Sequence, residues 1–177
     1  MIIDPTNDFK FKIAEPNLEN YALPPDDPLG ELSDFEFGLR RFCYECDRRV
    51  VVEIGTIQFS VFFDPDICML LTDRFPEQIG ECDRGKSIRL DFAESYDMTI
   101  ILTPMGDKVI CQLSKFGYQE RLTEYELDRQ QVVGELRRFL LEVMELSVNL
   151  GYVSLEDKSR FIMPAFSDPA KVTSLVG

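Results

Sequence analysis

Strict alternation of apolar and polar residues dominates the middle of the chain. Ile88, Leu90 and Phe92 alternate with Ser87, Arg89 and Asp91. After a turn at Glu94–Asp97, Met98, Ile100 and Leu102 alternate with flanking Thr99 and Thr103, and after Met105-Gly106-Asp107 the pattern resumes at Val109, Cys111 and Leu113. Side chains at a period of two point to opposite faces of a strand, so residues 87–114 predict three meander strands of an antiparallel sheet with one covered face and one wet face. A weaker fourth strand is predicted from about Gln119 to Leu127. Upstream, the β-branched run Val50–Ile54, the break at Gly55 and the alternation Ile57, Phe59, Val61, Phe63 predict two strands joined by a tight turn. Phe35, Phe37 and Leu39 also share one face of an extended segment, with Gly38 and the Arg40-Arg41 pair at a bend or bulge.

Helical periodicity follows the alternation. From Asp128 to Leu150, apolar residues recur at Val132, Leu136, Phe139, Leu140, Val143, Met144 and Leu150, a stripe wide enough to face a core. Glu135 with Arg138, and Arg138 with Glu142, are spaced for pairs on the opposite face. At about 1.5 Å per residue this helix over 128–150 reaches across a sheet of five strands, and Gly151 ends it. Asp64-Pro65-Asp66 reads as a helix entry, Asp64 capping and proline in the first turn. Ile67, Leu70, Leu71, Phe75 and Ile79 then predict two short helices or one kinked helix over about 66–84, stopped by Gly85. The fold class is therefore α+β: an antiparallel sheet of about 5–7 strands packed against the 128–150 helix and the 66–84 segment.

Prolines at 5, 16, 24, 25 and 28 keep the first 34 residues free of a long helix. Phe9, Phe11 and Ile13 alternate with Lys10 and Lys12, so this arm holds one short strand and lies across a core of residues 35–151. The tail over 152–177, with Phe161, Ile162, Met163 and Phe166, docks on the surface. A length of 177 residues suits one domain.

Composition narrows the function by exclusion. The chain has no histidine, and its 32 acidic residues outnumber 19 Lys and Arg to leave a formal charge of −13. Histidine chemistry, the Ser-His and Cys-His arrangements included, is excluded. So much negative charge repels nucleic acid and anionic lipid. No apolar run approaches the roughly 20 residues a membrane span requires, and the start Met1-Ile2-Ile3-Asp4-Pro5 lacks a secretory pattern. Five cysteines, an odd number in a chain with a sizeable core, predict reduced thiols and a cytoplasmic setting.

The candidate chemistry is sparse. Cys43-Tyr44-Glu45-Cys46 is a C-x-x-C near the end of a predicted strand, with Cys82 as a third thiol and with Cys68 and Cys111 on buried faces. A zinc site needs four ligands, and a thioredoxin-like pair needs a helix N-terminus. Asp64-x-Asp66 has the spacing of a divalent-metal carboxylate pair, although capping already occupies Asp64. Asp91, Glu94 and Asp97 cluster at a hairpin, where acidic residues are ordinary turn chemistry. Arg40, Arg41, Arg48 and Arg49 form the local basic concentration and pair with the acidic surface or bind an anion. Tyr96, Phe116, Tyr118, Tyr125 and Tyr152 are aromatics near turns that can anchor a partner. No phosphate loop is present, and no cofactor is expected.

The order of these segments (strands, a helical segment opened by Asp64-Pro65-Asp66 and closed near Gly85, a meander over 87–114, a long helix over 128–150) resembles that of immunity-type domains of bacterial toxin systems. The resemblance covers residues 50–151 and is architectural. It implies a non-enzymatic acidic binding module that neutralises a basic partner protein, with negative charge accelerating association. Two other expectations stay open: an acidic assembly factor or secretion-chaperone-like homodimer, and an enzyme working through carboxylates. The module is expected to be a monomer or a homodimer.

Overall fold

The computed structural model describes residues 8–16, 27–115 and 121–166. Its elements run β1 (Phe9–Pro16), α1 (Asp34–Cys46), β2 (Arg48–Ile54), β3 (Ile57–Phe62), a wide turn over Phe63–Ile67, α2 (Cys68–Thr72), α3 (Phe75–Asp83), β4 (Ile88–Phe92), β5 (Met98–Met105), β6 (Lys108–Lys115), β7 (Arg121–Asp128), α4 (Arg129–Asn149) and α5 (Leu155–Ile162). The fold is α+β, and among the described residues seven strands divide between two antiparallel sheets, β1-β2-β3 and β4-β5-β6-β7. The meander, the weaker fourth strand, the paired short helices and the long helix stand where the periodicities placed them.

One segment departs from its pattern. Residues 35–39 are helical, so the Phe35/Phe37/Leu39 alternation is not a strand and Arg40-Arg41 is no bulge. Leu39, Phe42 and Cys43 are buried on one face of α1, and Phe35 and Cys46 pack against the same core. The decisive local signal is Ser33-x-x-Glu36, a complete capping box. The Glu36 N–H donates to Ser33 Oγ at 3.2 Å, and the Ser33 N–H donates to the Glu36 carboxylate at 2.9 Å. Gly38 is explained by close approach: a Cβ there would lie 2.2 Å from the Tyr152 carbonyl oxygen.

The two sheets and α4 share one core. The Phe11 ring lies 6.4 Å from Phe92 and 5.2 Å from Phe139, and Phe59 lies 6.2 Å from Phe92. Those four rings join β1, β3, β4 and α4, and burying each contributes about 1.5–3 kcal/mol. α4 therefore does not cross one broad sheet. It packs against β6, β7 and α3 and along β1 at the edge of the other sheet. That edge is capped by side chains: Gln131 donates to the Phe9 carbonyl at 2.9 Å, Glu135 accepts the Phe11 N–H at 2.9 Å, and Arg138 donates to the Phe11 carbonyl. Capping removes the open pairing template that an edge strand otherwise presents. Among the described residues, no helix is long and apolar enough to cross a membrane.

Candidate functional site

Several residues singled out by sequence converge on a cleft of about 300 Å³ between α1 and α2. Its walls are Arg40, Tyr44, Asp64, Pro65, Cys68, Met69 and Thr72. The buried stripe of α1 faces the core, which leaves Arg40 and Tyr44, one helical turn apart, on the cleft side. The opposite wall is the Phe63–Ile67 turn, held to α1 by the Phe42–Phe63 ring contact at 5.6 Å. Asp64 has extended backbone angles (φ −112°, ψ 121°), and the turn has no side-chain cap. Its carboxylate is thus a wall of the cleft and not the helix cap expected of it. Burial and the neighbouring Asp47 push its pKa up. Asp47 ends α1 in a left-handed conformation (φ 35°), is only 6% exposed, and has one carboxylate oxygen without a hydrogen-bond partner.

Behind the cleft wall, the cysteines are arranged differently from their order in the chain. Cys43 and Cys46 occupy the last turns of a helix, so the C-x-x-C is neither at a strand end nor at a helix N-terminus. Cys43 is fully buried, and the thiol it meets is Cys68, the first residue of α2. Contact with Cys68, reinforced by burial, raises the Cys43 thiol well above its ordinary value. The same contact lowers Cys68, aided by Arg40 and opposed by burial and Asp64. Cys68 is accordingly not on a buried face; it is half-buried and open to the cleft. Cys46 is half-buried and raised by desolvation. Cys82 and Cys111 are buried in the core, Cys82 pushed up to about 11 and Cys111 to about 12 by desolvation.

Asp66 turns away from Asp64. Its buried carboxylate accepts the N–H of Glu94 at 3.2 Å and of Ser95 at 2.7 Å, fastening the turn after β3 to the β4–β5 hairpin. The two acids of the Asp64-x-Asp66 pair thus serve different places. Among the described residues, no three cysteine or acidic side chains converge as a metal ion requires.

The second feature is the outward face of the four-stranded sheet. Register places Asp91, Thr99, Ser114 in one row, Arg89, Ile101, Gln112, Glu124 in the next, and Thr103, Ile110, Glu126 in a third. Ile101 and Ile110 are half-buried, while Thr99 is buried and donates to Asp91 at 2.6 Å. Exposed carboxylates bound three sides: Glu124 and Glu126 along β7, Glu94 and Asp97 at one end, Asp107 and Asp128 at the other. Arg89, Lys108 and Lys115 lie among them, Arg89 already paired with Asp91 at 2.9 Å.

Of the aromatic partner candidates, Tyr96 is 50% exposed and stacks on Phe59 at 4.9 Å. Tyr125 points inward, its ring under Gly55 and its hydroxyl 3.2 Å from Thr56 Oγ1. Tyr152 sits against Phe42 and donates to Glu45. Phe116 and Tyr118 lie outside the described residues. The arginine concentration disperses: Arg41 pairs with Glu45 at 3.0 Å, Arg49 lies over the Phe62 ring, and Arg40 lines the cleft. Sequence reasoning missed the meeting of Cys43 with Cys68 and the burial of Asp47, since no local pattern links residues on elements that only tertiary packing brings together. No family model, curated protein or solved structure matches the chain.

Proposed function

We propose that the protein is a non-enzymatic acidic binding module that holds a partner protein with a basic surface against the outward face of the four-stranded sheet. The observation that carries this reading is the arrangement of that face. A patch of Thr, Ser, Gln and half-buried Ile is bounded on three sides by exposed carboxylates, in a chain of net charge −13. An uncharged centre excludes water at little desolvation cost, and a charged rim steers encounter and rejects acidic competitors. Tyr96, at the hairpin end of the face, adds a stiff aromatic side chain suited to an anchor. An inhibitor of the immunity type, neutralising a basic toxin, is the form of this function suggested by the order of elements over residues 50–151.

The test is capture from extract of the source organism on immobilised full chain, with a Glu124→Lys/Glu126→Lys double variant in parallel. A basic protein should be retained at about 50 mM salt and lost at about 500 mM, where the screening length falls several-fold. The double variant should lose it at low salt. Capture insensitive to both salt and charge reversal would overturn the proposal, and a stable homodimer in light scattering with this face buried would favour the chaperone-like alternative.

A further inference from the structure

The pair that the fold brings together, Cys43 with Cys68, is independent of the binding face and has the layout of a reactive thiol and its resolving partner. Cys68 is half-exposed in the wall of a cleft wide enough for a small molecule, with the Arg40 guanidinium on the facing helix and Asp64 beside it. Cys43 lies fully buried on α1 and in contact with Cys68. α1 packs on both the Phe63–Ile67 turn and α2, so the two sulfurs meet across an interface between two separate helices. Cys46, the partner suggested by spacing, is on the same helix as Cys43 and does not line the cleft.

We propose that Cys68 is a peroxide-reactive modification site and that Cys43 resolves it. In the first step the Cys68 thiolate attacks the near oxygen of a hydroperoxide, the O–O bond breaks, and the distal oxygen leaves as hydroxide or alkoxide and takes up a proton. Cys68 is oxidised to a sulfenic acid and the peroxide is reduced. In the second step the Cys43 sulfur attacks the Cys68 sulfur and its thiol proton is lost. The sulfenic hydroxyl leaves as water, and a disulfide joins α1 to α2. Thiolate character and access decide which cysteine oxidises first. Cys82 and Cys111, buried in the core, have neither. A cationic neighbour such as Arg40 stabilises the thiolate and the charge developing on the leaving oxygen.

The experiment treats the reduced, folded full chain with stoichiometric hydrogen peroxide and maps the product by mass spectrometry without reduction. The expected product is a single Cys43–Cys68 linkage. In Cys43→Ser, dimedone should trap a sulfenic acid on Cys68. In wild type without oxidant, iodoacetamide should label Cys68 at least about tenfold faster than Cys82 or Cys111, as thiolate fraction dictates, a readout that requires no variant to fold. Arg40→Gln should slow that labelling. A Cys43–Cys46 linkage would overturn the proposal, as would labelling of Cys68 no faster than that of the core thiols.

Discussion

Asp66 brings a carboxylate with 1% exposure against two backbone donors of a hairpin nearly thirty residues away, and Asp64, two positions earlier, opens onto solvent in the cleft wall. Both flank Pro65, and both have the composition of a cap or a metal ligand. What separates their roles is only which way the turn faces. A charged acceptor for backbone donors is worth about 1.5–3 kcal/mol. Asp66→Asn, which keeps the shape but sets an amide against one N–H, should therefore cost about 2 kcal/mol in urea denaturation, while Asp64→Asn should be near neutral. Equal effects would show that the hairpin donors find water instead. Gly55 makes the same point about legibility. Its role as a tight turn is readable from the break between the β-branched run Val50–Ile54 and the alternation that starts at Ile57. That its missing Cβ also makes room for the Tyr125 ring, 2.2 Å from where a Cβ would sit, is a contact between two sheets and has no local sign.

Among elements, α1 and β1 show how a pattern is decided. Phe35, Phe37 and Leu39 satisfy a period of two, yet Phe35, Leu39, Phe42, Cys43 and Cys46 satisfy a helical stripe over a longer stretch. The capping box at Ser33 and Glu36 tips the balance, since a satisfied N-terminus contributes about 1 kcal/mol that a strand at the same place lacks. The β1 strand was legible from its alternation, but the way its open edge is closed was not. Spacing on α4 predicts a Glu135–Arg138 pair on an outer helix face, and the pair forms. It also accepts the Phe11 N–H, and its side chain is only 12% exposed. Glu135→Ala should accordingly destabilise the fold by about 1–3 kcal/mol and speed hydrogen exchange at the Phe11 amide. Glu135→Gln, which still offers an acceptor, should retain most of the protection. Exchange at Phe11 unaffected by Glu135→Ala would mean that the edge is held by core packing alone.

For the whole molecule the dominant number is the charge of −13. Several of the acids have local partners, as in the Arg41–Glu45, Arg89–Asp91 and Arg138–Glu142 pairs, but exposed pairs of this kind contribute little each. Net self-repulsion should prevail, so the urea midpoint is expected to rise as ionic strength goes from about 10 to 150 mM and the screening length shortens. A falling midpoint would show that the ion pairs outweigh the repulsion. The sequence by itself determined the α+β class, the order of most elements, the faces that β1, β3, the meander strands β4–β6 and α4 bury, and the exclusion of histidine chemistry. These follow from local periodicity and composition, which act over a few residues at a time. Only the tertiary structure decided that the strands form two sheets, that α4 caps the edge of β1, that Cys43 meets Cys68 and not Cys46, and that Asp64 and Asp66 part. Each of those depends on which surfaces meet after the chain has folded back on itself, and residues far apart in sequence leave no spacing by which to recognise it.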